Sequence, residues 1–86
     1  MNEILRITSV TWVGGHRLSL RFSDGTSKVV DVWPLLNGPV FEPLREEAYF
    51  SRGTLDPVCG TVVWPNGADF APEALKSLAA ETASAT

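Results

Sequence analysis

The chain has 86 residues, of which 44% are hydrophobic and 20% charged, so it can bury one core but not two, and it is too apolar for disorder over most of its length. No apolar run approaches the roughly 20 residues that span a bilayer. Met1-Asn2-Glu3 lacks the basic start and apolar core of a signal peptide, and Cys59 is the only cysteine, which forbids an internal disulfide and leads us to expect a reduced, cytoplasmic setting.

The net charge of −3 is unevenly spread. Residues 1–30 hold Arg6, Arg17, Arg21 and Lys28 against Glu3 and Asp24, whereas residues 31–86 hold three bases against eight acids. So few bases disfavour strong nucleic-acid binding by the isolated chain, and the acidic part favours a basic protein partner.

In chain order, β-branched residues predict a first strand over Ile4 to Val13. Neither of its alternate residue sets is purely apolar, which calls for a bulge or a partly exposed edge. Gly14-Gly15 permits a tight turn. Leu18, Leu20 and Phe22 then alternate with Arg17, Ser19 and Arg21, the period of a strand with one wet face. Ser23-Asp24-Gly25 is a turn, and Thr26 to Val32 returns as a third strand, completing an antiparallel meander.

Pro34 to Asn37 allows at most one helical turn before Gly38-Pro39. Pro43 opens a brief helix ending near Phe50, with Leu44 and Ala48 on one face and Arg45, Glu46 and Glu47 toward water. Thr54 to Asp56 and Thr61 to Trp64 flank Pro57 to Gly60 as a second hairpin. A last helix begins at Pro72, its apolar stripe formed by Leu75, Leu78 and Ala79. The expected fold is α+β in two layers: an antiparallel sheet of about five strands in two hairpin groups, β-β-β-α-β-β-α, packed on a C-terminal helix. One domain is expected over residues 1–80, with a frayed tail over 81–86 that has no large apolar side chain.

Several stretches carry a family resemblance: Phe22-Ser23-Asp24-Gly25, Val30-Asp31-Val32 with Pro34-Leu35-Leu36, Phe41-Glu42-Pro43-Leu44, and above all Thr61-Val62-Val63-Trp64-Pro65-Asn66-Gly67-Ala68-Asp69. In this order they resemble the bacterial and phage family called domain of unknown function 2442, over roughly residues 4 to 79. The resemblance implies a small α+β fold with an antiparallel sheet covered by helices, and it implies no reaction. Some relatives precede a helix-turn-helix segment, and others are short proteins encoded beside another small protein, as in toxin-antitoxin pairs; this chain looks like the second kind. Relatives often place Asp or Ser before the Pro-Glu that opens the last helix, where this sequence has Ala71, which cannot cap the free N–H groups.

Catalysis needs a nucleophile or base held against a partner that tunes it. His16 is the only histidine, and its place after two glycines predicts a solvated turn residue. Cys59 has no nearby cation in sequence to stabilise a thiolate. One His and one Cys, 43 positions apart, form no metal-ligand set. Glu46 and Glu47 point in different directions on a helix and read as a solvated face, while Asp24 and Asp31 suit a turn and the outer side of a strand. Neither Gly14-Gly15 nor Asn66-Gly67 has the strand-to-helix context of a phosphate loop. No enzymatic activity, metal or cofactor is expected.

Trp12, Trp33 and Trp64 each lie near a strand end, where tryptophan either closes the core edge or serves as a contact. The leading expectation is a non-enzymatic interaction module, antitoxin-like or an adaptor, that binds a small protein partner through Trp64, Asn66 and Asp69 and the acidic C-terminal part. The alternatives are a small-ligand binder or enzyme built around His16 with Asp31 or Asp69, and a DNA-associated regulator. A homodimer through open sheet edges is a separate option.

Overall fold

The structure, a computed structural model, describes residues 4–78. Strands β1 (Ile7–Trp12), β2 (Arg17–Phe22) and β3 (Ser27–Asp31) form an antiparallel sheet in the order β1-β2-β3. Its inner face is the alternating apolar set foreseen for β2: Leu18, Leu20 and Phe22 are buried together with Ile7 and Val30. The irregular pattern of β1 is resolved by a register shift between Ile7 and Ser9, which pair with Phe22 and Arg21 in turn. This bulge lets Ile7 reach the core. The strand starts at Ile7 rather than at Ile4, which is exposed.

The β2–β3 turn rests on Gly25, whose φ of 93° lies in the left-handed region that glycine tolerates best. Asp24 accepts the Thr26 N–H at 2.9 Å through Oδ1 and pairs through Oδ2 with Lys76. After β3 come a 3-10 turn, Trp33–Leu35, and a second, Glu42–Arg45, followed by α1 (Glu47–Phe50). The single brief helix expected from Pro43 is thus divided at Glu46, which takes an extended ψ of 125°. Leu44 and Phe50 are buried, while Ala48 is exposed and does not share Leu44's face.

Strands β4 (Thr54–Asp56) and β5 (Thr61–Val63) form the expected second hairpin. The five strands therefore make two sheets, of three and two strands, instead of one continuous sheet. They are joined at the start of β1. The Ile7 N–H donates to the Gly60 carbonyl at 2.8 Å, and the Arg6 guanidinium donates to the carbonyls of Pro57 and Val58 at 2.7 and 3.2 Å.

One core runs through both hairpins, the 3-10 turns and the last helix, α2 (Pro72–Lys76), which contributes Leu75. Leu78 packs partly against it, whereas Ala79 and the tail expected to fray lie outside the described residues. Lys28, on the inner face of β3, donates through Nζ to the carbonyls of Lys76 and Leu78 at 2.6 and 2.5 Å, so a cation satisfies the end of α2.

At the other end of α2, Ala71 occupies the capping position with φ −64° and ψ 140° and makes no side-chain bond. Its backbone already has the conformation of a capping residue. Ala71→Asp is expected to stabilise the fold by about 1 kcal/mol, measured as a raised urea midpoint with unchanged slope.

The Lys76 ammonium, chiefly by hydrogen bonding, with help from the Thr26 N–H, lowers the Asp24 carboxyl from its ordinary 3.8 to about 2. A carboxyl depressed in the folded state stabilises that state above the unfolded value, and the contribution fades as pH falls from about 4 toward 2. Urea midpoints measured between pH 5 and pH 2 should therefore fall less steeply in Asp24→Asn than in the parent chain.

Candidate functional site

The Trp64-to-Asp69 loop is built chiefly by bonds to itself and to the core. The Trp64 N–H donates to the Ala68 carbonyl at 2.9 Å, and the Gly67 N–H donates to the Trp64 carbonyl at 2.9 Å. Asn66 spends both ends of its amide on the fold: Oδ1 accepts the Ala68 N–H at 3.0 Å and Nδ2 donates to the Val40 carbonyl at 3.0 Å. Gly67 takes a φ of 89° to close the turn.

Trp64 itself is 3% exposed. Its indole N–H donates to the Phe50 carbonyl at 2.8 Å, and its ring packs on Phe50 and Phe70 with centroids 5.3 and 5.7 Å away. The contact role expected for Trp64 is corrected here: in this fold the indole is a core anchor, because β5 directs it inward and α1 supplies the acceptor its N–H needs. Asn66 and Asp69 are exposed, and the backbone of Asp69 forms a bridge with Val63.

The β1–β2 turn holds a different constellation. His16 is half-buried, and its Nε2–H donates to the Arg45 carbonyl at 2.7 Å. Its ring lies edge-on to Trp33 at 4.9 Å and tilted against Phe50 at 5.1 Å. The solvated turn residue expected at position 16 is therefore corrected to a packed pin between the meander and the segment around α1. The sequence offered no sign of this, since Arg45 and Phe50 reach His16 only through the tertiary fold. Next to it, the Gly15 N–H donates to Glu47 Oε2 at 3.0 Å, so Glu47 docks the turn and is not merely solvated.

The Trp12 indole N–H donates to the Gly15 carbonyl at 3.0 Å. Trp33 donates its backbone N–H to Asp31 Oδ1 at 3.0 Å, and the Arg45 guanidinium lies 5.5 Å from its ring centroid, a cation–π arrangement. Trp12 is 40% exposed and Trp33 48% exposed. Both flank the Gly14-to-His16 turn, because β1 and β3, on opposite sides of β2, finish at the same end of the sheet. Val13 extends the apolar surface, and Glu42, Glu46 and Glu47 on the adjoining segment are exposed.

The groups nominated for chemistry are engaged separately. His16 bonds a backbone carbonyl, Asp31 a backbone N–H and Glu47 the backbone of Gly15. Asp69 borders a different neighbourhood, that of the exposed Cys59, whose thiol is pushed up chiefly by the Asp56 carboxylate, with a smaller contribution from Asp69. Asp56 in turn is held below the usual carboxylate range by the N–H groups of Val58 and Cys59. Such surroundings disfavour a thiolate nucleophile.

Fold and site together describe a small α+β domain with two antiparallel sheets, a shared core and an ordered aromatic surface at one end of the meander. Residues 7–81 match the family described as protein of unknown function (DUF2442), and the chain belongs to that family. No curated protein and no solved structure matches it. Among the described residues no helix is long and apolar enough to cross a membrane.

Proposed function

We infer that the chain is a non-enzymatic interaction module, an adaptor or antitoxin-like component, that binds a small protein partner through the surface formed by Trp12, Val13, Trp33 and Arg45. The observation that carries this reading is the pair of exposed tryptophans held in place on one turn. Trp12 is fixed by its bond to Gly15, and Trp33 by His16 and Arg45. Pre-oriented aromatic side chains lose little rotamer freedom on association and bury large area, which is why Trp and Arg dominate binding hot spots.

The bordering acids select the partner's chemistry. Glu42, Glu46 and Glu47 beside an apolar centre suit a segment that presents an apolar anchor among Lys or Arg residues. Affinity purification of the tagged chain from its native host, and co-expression with products of neighbouring genes, should yield a stoichiometric complex. In that complex Trp33→Ala should weaken binding by about 2 kcal/mol or more, roughly thirtyfold, while Pro65→Ala, on the other loop, changes it little. A chain that stays free in both experiments would remove the reading.

A further inference from the structure

β3 is an edge strand, and the register of the sheet determines which of its backbone groups point away from β2. In an antiparallel ladder, residues that exchange bonds with the neighbouring strand alternate with residues whose N–H and C=O point away. The Phe22 N–H donates to the Thr26 carbonyl and the Val32 N–H donates to the His16 carbonyl, at 2.8 Å each. Lys28 and Val30, in register with Leu20 and Leu18, therefore bond inward. Ser27, Val29 and Asp31 turn their backbone groups outward.

Among the described residues no backbone segment bonds to this edge, and the only charge on its outward residues is Asp31. Natural edges are blunted by Pro, by bulges, by charged side chains or by a covering segment. β1 has two of these devices, its bulge at Ile7–Ser9 and the cover supplied by Gly60 and Arg6. The outward residues of β3 include no Pro and no Lys, and the one lysine of the strand, Lys28, is folded beneath the sheet onto the end of α2.

We propose that β3 pairs antiparallel with β3 of a second copy of this chain, about a two-fold axis through Val29, joining two three-stranded sheets into one of six strands. In that register Ser27 faces Asp31 of the other copy and Val29 faces Val29. Each outward pair is of the hydrogen-bonded type and exchanges two bonds, about six in all. The wet face is also complementary. Arg17 is in register with Asp31, and Arg21 with Ser27, so the row across the junction reads Arg17, Asp31, then Ser27 and Arg21 of the second copy. No like charges stand opposite each other, and Arg21, which has no side-chain partner among the described residues, gains a carboxylate within reach of its long side chain. The central row places half-buried Val29 on its own counterpart, a favourable β-branched pair. The inference is independent of the aromatic surface proposed above.

An edge this short buries less than a standard interface of about 1,600 Å², so association on the order of 10 µM is expected. Sedimentation equilibrium of the full chain from about 1 to 500 µM should show reversible dimers. Val29→Lys sets two ammonium groups opposite each other and should raise the dimer dissociation constant at least about tenfold, with circular dichroism reporting whether the monomer keeps its fold. A second variant does not depend on that tolerance: with Cys59→Ser, Val29→Cys should give a covalent dimer under mild oxidant, since facing Cα atoms of a hydrogen-bonded pair lie about 5.5 Å apart. Ser9→Cys in the same background, on β1, should not. A parent chain that stays monomeric throughout the concentration range overturns the proposal, and so does a dimer that Val29→Lys leaves intact and Val29→Cys fails to link.

Discussion

Trp64→Ala is expected to destabilise the domain by about 3–5 kcal/mol, most of the stability available to a chain this short, which is on the order of 5–10 kcal/mol. The indole is buried against Phe50 and Phe70, so truncation leaves a cavity between α1 and the second hairpin. It also strips the Phe50 carbonyl of the donor 2.8 Å away, a separate cost of about 1–3 kcal/mol for an acceptor left buried without a partner. Thermal unfolding followed by circular dichroism should show a midpoint lowered by more than about 15 °C. Trp64→Phe should fall between, because it restores much of the volume and none of the hydrogen bond. A Trp64→Ala chain as stable as the parent would contradict the core role assigned here and return position 64 to the surface.

Gly53→Ala is the second large effect, and it arises from the same indole. A Cβ built at Gly53 would lie 2.7 Å from Cε2, 2.8 Å from Cζ2 and 2.9 Å from Nε1 of Trp64, all inside van der Waals contact. The ring cannot step aside without losing its bond to Phe50 and its packing on Phe70. Overpacking of this kind costs about 1–3 kcal/mol, read from the urea midpoint. The substitution introduces no left-handed backbone strain, so its cost reports the close approach alone. In a Trp64→Phe background the obstructing ring edge is smaller, and the two substitutions should cost less together than the sum of their separate effects. Additive costs would show that Gly53 matters for some other reason.

These two substitutions, together with Trp33→Ala, separate fold from association. Trp64 and Gly53 act on stability, whereas Trp33 is exposed and its loss should change partner capture with little effect on unfolding. Phe50 links the regions, since it receives the Trp64 N–H on its carbonyl and packs its ring against His16. A core defect at Trp64 therefore reaches the turn that holds Trp12 and Trp33, and partner binding by core variants should be compared at equal folded fractions.

Local chemistry was sufficient for the parts of this protein that depend on neighbours in sequence. The alternation of Leu18, Leu20 and Phe22, the turn glycine at Gly25, the Pro57-to-Gly60 connection and the proline at the start of α2 announced the meander, the second hairpin and the last helix. The mixed pattern of β1 called for a bulge or a partly exposed edge, and the stretch from Thr61 to Asp69 carried the family likeness. Each is a matter of side-chain period, allowed φ or missing N–H groups, and acts within a few residues.

The tertiary structure decided what depends on residues far apart in the chain. It split five strands into two sheets, because Arg6 and Gly60 join them at a single end of β1. It interrupted the helix after Pro43, where Glu47 turns to meet Gly15 across 32 positions. It also sorted three tryptophans that look alike in sequence: Trp64 finds an acceptor and two aromatic neighbours inside, while Trp12 and Trp33 meet the β1–β2 turn and keep much of their surface in water. Burial is a property of the assembled neighbours, and an indole next to a strand end is compatible with either outcome until those neighbours are in place.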